Sequence, residues 1–271
     1  MAWCLEIANW LLPLLYLALL VDYGATFFLR TRPHGWSHAL VVCVGLHALF
    51  LAGLGVYLSR PPLSDTREIL SILALATAAV YAVTEFAGRD RRTGVFVLLL
   101  VFLFQYTSSV LMSPTLEAPP AAAPGAAPVW ARLHVLPALV SYTALGFAFI
   151  YACLYIAAQR DLRERRFGVF FDRLPPLDLL ARMTWHAVLV GFVFITLAIA
   201  TAPLMFGSDG GAALTAKVVT KIVTGSVAWL IYAIAVGGRL FGKWHPARIS
   251  VIAIAGFLVV MTLLIASGFL S

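Results

Sequence analysis

The chain has 271 residues, of which 62% are hydrophobic and only 11% are charged. A soluble domain carries about 25% charged residues, so this composition indicates an integral membrane protein with no separate soluble domain. The net charge of +7 is spread over short connections between apolar runs, which argues against a nucleic-acid-binding surface.

Eight apolar runs follow one another along the chain, and each has about the 20 residues that a membrane-spanning helix needs. They cover residues 5–29, 37–58, 69–87, 94–111, 134–158, 184–206, 214–236 and 249–270. The sequence therefore predicts an all-α, polytopic transmembrane bundle with eight spans.

The basic residues predict the orientation of the bundle. Of the 19 Lys and Arg residues, 14 lie in the connections between spans 1 and 2, 3 and 4, 5 and 6, and 7 and 8. Cytoplasmic connections carry the excess of Lys and Arg. We therefore expect both termini on the periplasmic side of a bacterial inner membrane.

A Pro- and Ala-rich segment, 112–131, is predicted to be an outer linker between two four-helix halves, 1–111 and 132–271.

The longest cytoplasmic connection, 159–183, is rich in charge at its start. We expect the fifth helix to extend into it. Pro175 and Pro176 are expected to begin a short amphipathic helix along the lipid headgroups, since proline is tolerated in a first helical turn.

Three histidines are candidate functional residues because an imidazole in hydrocarbon needs a partner. His47 lies in the middle of the second span, and His134 and His186 lie near the ends of the fifth and sixth. For His47 two readings stay open: a hydrogen bond across helices, or ligation of a metal or haem iron. Arg132 and Lys217 are candidates to pair with haem carboxylates, although Lys217 and Lys221 would equally suit snorkelling to the interface.

Few other groups suggest chemistry. Asp22 and Glu85 are acids within spans, and each is expected to pair with Arg, His or a backbone group. The three cysteines form no C-x-x-C or C-x-x-C-H motif, which excludes a covalent haem attachment site. The chain has no phosphate-binding loop and no H-E-x-x-H or G-x-S-x-G motif, so we do not expect an enzyme.

Residues from about 132 to 262 resemble the cytochrome c assembly protein superfamily (CcsA/CcmC-like), and in particular its HemX/YpjD-type eight-helix inner-membrane branch. The resemblance rests on LHVLPALVSYTALGFAFIYACLYIAAQ, LPPLDLLARMTWHAVLVGFVFITLAIATA and KIVTGSVAWLIYAIAVGGRLFGKWHPARISVIAIAGF. It implies non-covalent binding of haem b and a role in cytochrome biogenesis. His47, His134 and His186 match family histidines, which implies that they are the haem-iron ligands.

The sequence also departs from the haem-exporting members of this superfamily. Those members carry a tryptophan-rich WWD segment before the seventh span, where this chain reads APLMFGSDGGAALTAKVVTK, and an outer histidine that has no counterpart after His245. The resemblance thus implies a haem-handling protein that works with cytochrome c biogenesis components. One alternative is a HemX-like regulator of tetrapyrrole synthesis that contacts a haem-synthesis enzyme through 159–183. The other is a transporter of a small substrate.

Overall fold

The structure, a computed structural model, describes residues 2–29, 38–63, 65–88, 91–117, 129–165, 168–207 and 216–269. These ranges form α-helices and contain no β-strand, which confirms the all-α prediction. The helices are α1 (Ala2–Leu29), α2 (His38–Leu58), α3 (Thr66–Gly88), α4 (Gly94–Glu117), α5 (Val129–Arg163), α6 (Val169–Arg173), α7 (Leu177–Gly207), α8 (Ala216–Leu240) and α9 (Pro246–Phe269).

Eight of the described helices are long and apolar enough to cross a membrane, as the sequence predicts. The exception is α6, which has five residues and rises only about 8 Å along its axis. The fifth span extends through α5 to Arg163, which confirms that this helix continues into its charged turn.

The helices group into two compact units, Met1–Ala127 and Pro128–Ser271. In the first unit, α1 and α3 each pack against both α2 and α4. The four helices therefore enclose one interior, and side chains from all four can meet there. Its apolar part includes Leu12, Phe50, Leu54 and Met112, all buried.

In the second unit, α5 and α7 form the most extensive helix pair, and α9 packs against α5, α7 and α8. Gly191 of α7 allows the close approach of α5, since a Cβ atom there would lie 2.4 Å from Cδ2 of Leu145. Small residues permit such close contact between membrane helices.

The prediction of a separate amphipathic helix after Pro175 and Pro176 is wrong. The two prolines do precede a helix, and the amides of Leu179 and Leu180 donate to the carbonyl of Pro176. However, that helix is α7 itself, which continues through the sixth span without a break. The physical reason is that no proline follows before Pro203, so the charged first turns and the apolar span propagate as one helix.

Two other bounds differ from the sequence prediction. α4 continues to Glu117 and α5 begins at Val129, so both helices extend into the predicted 112–131 linker, and residues 118–128 lie outside the described part. The seventh span, predicted over 214–236, lies in α8, which continues to Leu240.

Candidate functional site

His47 lies at the centre of the first unit and is fully buried. Its Nδ1 atom is 2.9 Å from the hydroxyl of Tyr16 on α1, and its Nε2 atom is 2.9 Å from Oγ of Ser71 on α3. Both ring nitrogens therefore have protein hydrogen-bond partners. Of the two readings that the sequence leaves open for His47, the structure shows the hydrogen bond across helices.

The hydrogen bonds continue from Ser71 through α4 to α1. Oγ of Ser71 is 2.9 Å from Oε1 of Gln105, and Nε2 of Gln105 is 3.2 Å from Oγ of Ser109. Oγ of Ser109 donates in turn to the backbone carbonyl of Asn9 at 2.7 Å. These six residues, from Tyr16 to Asn9, are called the polar chain below, and they join all four helices of the unit.

The direction of every bond in the polar chain follows from its last member. The Asn9 carbonyl has no hydrogen, so the Ser109 hydroxyl must donate to it. Ser109 must then accept from the amide nitrogen of Gln105, which turns the amide oxygen towards Ser71. The Ser71 hydroxyl therefore donates to Gln105.

The hydrogen bond from Ser71 to Gln105 also determines the tautomer of His47. Because the single hydrogen of the Ser71 hydroxyl is used on Gln105, Nε2 of His47 must donate to Ser71. In the neutral imidazole, Nδ1 then accepts from the Tyr16 hydroxyl. Neither ring nitrogen offers a lone pair to a metal in this arrangement. Iron ligation by His47 stays a prediction, and it would require one of these buried bonds to break, at a cost of about 1–3 kcal/mol for the partner left unsatisfied.

His134 of α5 is bonded differently. Its Nδ1 atom is 2.8 Å from the backbone carbonyl oxygen of Ala198 on α7. A carbonyl only accepts, so Nδ1 carries the proton and, in the neutral ring, Nε2 keeps its lone pair. Among the described residues nothing makes a hydrogen bond to Nε2. A histidine held in this way through one nitrogen is oriented to bind a metal through the other.

A second bond between α5 and α7 supports this geometry. The hydroxyl of Ser141 donates to the carbonyl of Gly191 at 2.8 Å. Ser141 lies seven residues after His134 on α5, and Gly191 lies seven residues before Ala198 on α7. The two bonds thus repeat after two helical turns of an antiparallel pair, and together they fix the position of α7 against the His134 end of α5.

His186 lies on the exposed surface of α7. It makes no hydrogen bond to any residue that the structure describes. It precedes Ala198 by 12 residues, which is about 18 Å along the helix. Because His134 bonds to Ala198, His134 and His186 are too far apart to ligate the same iron atom. His47 belongs to the other unit.

The predicted partners of the haem carboxylates lie near the starts of α5 and α8. Arg132 lies in α5 and Lys217 lies in the first turn of α8, but the side chains of both, and that of Lys221, lie outside the described part. Their proposed contacts with haem carboxylates stay predictions.

The acids within the spans pair with arginine, as predicted. Arg91 lies 3.7 Å from the Asp22 carboxylate and 3.5 Å from that of Glu85. Tyr23 donates to Glu85, and its ring lies 4.1 Å from the Arg91 guanidinium. A buried carboxylate is costly without such partners, so this cluster stabilises the α1–α3 end of the first unit.

A second ion pair closes the connection between α2 and α3. The guanidinium of Arg60 donates to both carboxylate oxygens of Glu68, at 2.9 and 2.8 Å. These hydrogen bonds raise the pKa of Arg60 above its ordinary value, so the pair stays charged at any pH at which Glu68 is ionised.

No group of three or more His, Cys, Asp or Glu side chains comes together in the described ranges, and the three cysteines are free. A site built on several protein ligands to one metal ion is therefore not present in this part of the chain. A haem iron, which the porphyrin already holds, needs only one or two axial side chains.

Residues 46–271 match the family described as Cytochrome C assembly protein. The chain belongs to this family. The match covers all of the second unit and most of the first, including His47, His134 and His186.

Inner membrane proteins of Escherichia coli resemble the chain over nearly its full length. The inner membrane protein YpjD of Escherichia coli K12 is 24% identical over 268 residues, which cover 93% of this chain and 95% of YpjD. The YpjD proteins of E. coli O157:H7 and O6:H1 match to the same extent. No solved structure matches. With its eight candidate spans, this family member is a multi-pass protein of the inner membrane.

Proposed function

We propose that this protein binds haem b non-covalently through His134 and assists the assembly of c-type cytochromes. One observation carries the proposal: Nδ1 of His134 donates to the Ala198 carbonyl, which leaves Nε2 as the metal-binding atom. Membership of the cytochrome c assembly family supports the proposed role in cytochrome assembly. The protein would act by holding haem rather than as an enzyme.

The surroundings of His134 fit an axial ligand. Metal-binding histidines donate their second N–H to a carbonyl or carboxylate, which fixes the ring and raises its basicity. Here the acceptor is a backbone carbonyl of the neighbouring helix, and the Ser141–Gly191 bond holds that helix in place. When bound, haem would supply an iron atom that accepts the Nε2 lone pair.

The proposal includes an orientation. The excess of basic residues at the opposite ends of the spans favours periplasmic termini. His134, five residues after the start of α5, then lies near the periplasmic face, where c-type cytochromes mature. Arg132 and Lys217 would lie at the same end and are proposed to attract the haem propionates.

The exposed surface around the end of α5 favours a second candidate function. Arg163 and Arg165 are exposed, and Arg160 forms an exposed ion pair with Glu164 at 2.8 Å. A HemX-like regulator would use this charged surface, rather than a haem ligand, to contact a cytoplasmic haem-synthesis enzyme. The two functions therefore depend on different residues.

Cells that lack this protein would separate the two functions. We expect lower c-type cytochrome content in the deletion strain, restored by the wild-type chain and by Arg163→Glu/Arg165→Glu, but not by His134→Ala. Haem-stained cytochromes and immunoblots of haem-synthesis enzymes would be compared at matched membrane levels of each variant. If deletion leaves cytochrome content unchanged but alters the levels of haem-synthesis enzymes, and His134→Ala restores those levels while the arginine variant does not, the regulatory function is correct and the haem proposal is wrong.

A further inference from the structure

A basic cleft opens in the second unit where the ends of three helices meet. It has a volume of about 70 Å³ and is lined by residues of α7, α8 and α9 that include Arg182, Trp185, Arg239 and Pro246. About 10–15 Å³ of such space already holds one water molecule, so the cleft has room for a group of a few heavy atoms. None of these residues belongs to the His134 site or to the polar chain.

Arg182 and Arg239 give the cleft a positive charge. Neither Arg182 nor Arg239 forms an ion pair with an acid in the described ranges. α9 begins at Pro246 on the wall of the cleft, and the start of a helix carries a partial positive charge from the aligned peptide dipoles. Two arginines and a helix start line one small cleft, and this arrangement favours a bound anion.

The turn between α8 and α9 fixes the position of Arg239. Its guanidinium donates to the carbonyl of Trp244 at 2.9 Å, and the amide of Trp244 donates to the carbonyl of Gly238 at 3.0 Å. The Trp244 ring occupies the space beside Gly238, where a Cβ atom would lie 2.3 Å from it. The guanidinium is therefore held at the cleft, and its remaining N–H groups can bind a ligand.

The depth of the cleft identifies the class of anion. Arg239 and Pro246 lie at the ends of the spans Ile222–Leu240 and Pro246–Ala266, so in a membrane they would lie near the level of the phospholipid phosphates. Trp185 is half-buried at the same cleft, and tryptophan favours this interface. The basic connections predict that this side is cytoplasmic, and basic pockets between helices on that side bind anionic headgroups.

We propose that this cleft binds the phosphate of an anionic phospholipid headgroup. Arg182 and Arg239 would contact the phosphate oxygens, since a guanidinium matches them in a bidentate geometry. The aliphatic and indole surfaces of the cleft would contact the glycerol and the first acyl carbons. Binding of this lipid would join the ends of α7, α8 and α9.

Native mass spectrometry of the full-length protein in neutral detergent tests the proposal. Phosphatidylglycerol should bind in preference to phosphatidylcholine, and Arg182→Gln/Arg239→Gln should weaken that binding about thirtyfold, since each basic residue near a membrane surface contributes about a factor of five. The matched control is Arg163→Gln/Arg165→Gln, which removes two exposed arginines elsewhere in the unit and should leave binding unchanged.

Other outcomes would overturn the proposal. Equal binding by the double variant and the wild type would exclude this cleft, and equal binding of the two lipids would exclude an anion site. Competition by inorganic phosphate at the lipid's own concentration would identify free phosphate, not a lipid, as the ligand. If the double variant does not fold, the single variant Arg182→Gln tests the proposal instead. It should fold, because the Arg182 side chain makes no hydrogen bond to a described residue. Its lipid binding should still be weaker than that of the wild type.

Discussion

Replacing His47 by leucine should destabilise the first unit by about 2 kcal/mol. The substitution removes the imidazole acceptor of the Tyr16 hydroxyl and the donor to the Ser71 oxygen. A hydrogen bond between membrane helices contributes about 0.6 kcal/mol on average, but an unsatisfied buried polar group costs about 1–3 kcal/mol. Two buried polar groups each lose a partner here, so the larger cost dominates even though leucine suits the apolar surroundings.

The chain contains its own reporter for this effect. Cys43 is buried on α2, one turn before His47, whereas Cys153 lies in the second unit. In a Cys4→Ser background, alkylation of Cys43 should become about thirtyfold faster in His47→Leu, as a change of 2 kcal/mol in opening implies. Alkylation of Cys153 should not change. Leu49→Ala, at an exposed position of the same helix, is the control. Identical Cys43 rates in all three proteins would show that the polar chain does not stabilise the unit.

The second large effect is expected at Gly191. In Gly191→Val the new Cβ atom would lie 2.4 Å from Cδ2 and 2.7 Å from Cγ of Leu145. Leu145 is itself buried, so its displacement would disturb the packing around it. Overpacking of this kind costs about 1–3 kcal/mol, more than the few tenths of a kcal/mol gained from the better helix propensity of valine. Separation of α5 from α7 would also lengthen the His134–Ala198 bond.

A matched substitution isolates the packing effect. Gly225 of α8 has no atom within 4 Å of the Cβ position, so Gly225→Val adds the same side chain in open space. We expect a lower thermal unfolding temperature and weaker haem binding for Gly191→Val, and wild-type values for Gly225→Val. If the two variants behave alike, the close α5–α7 contact is not what holds His134 in place.

The spans were predictable because each one needs about 20 apolar residues, and composition alone records that. Helix ends were less predictable. Nothing in the apolar pattern shows that the turns after Pro176 continue into α7, because a charged helical turn is equally compatible with an interfacial helix. The structure decides the matter, since Leu177–Gly207 is one helix.

The hydrogen-bond partners of His47 and His134 could not be predicted from the sequence, for two different reasons. Asn9, Gln105 and Ser109 are polar residues within apolar runs, which is a usable signal, but the sequence does not show that they join His47 in one chain of hydrogen bonds. They do so because α1 and α3 each pack against both α2 and α4. The acceptor of the His134 hydrogen bond cannot be recognised in the sequence, because it is the backbone carbonyl of an alanine.

The central claim, that His134 is a haem ligand, is tested most directly by titrating the purified protein with haem b and recording the Soret band. Wild type and His186→Ala should bind haem with the same spectrum. His134→Ala should lose the band, and added imidazole should restore it by occupying the vacated position. A wild-type spectrum and affinity in His134→Ala, or no Soret band in the loaded wild-type protein, would contradict the claim.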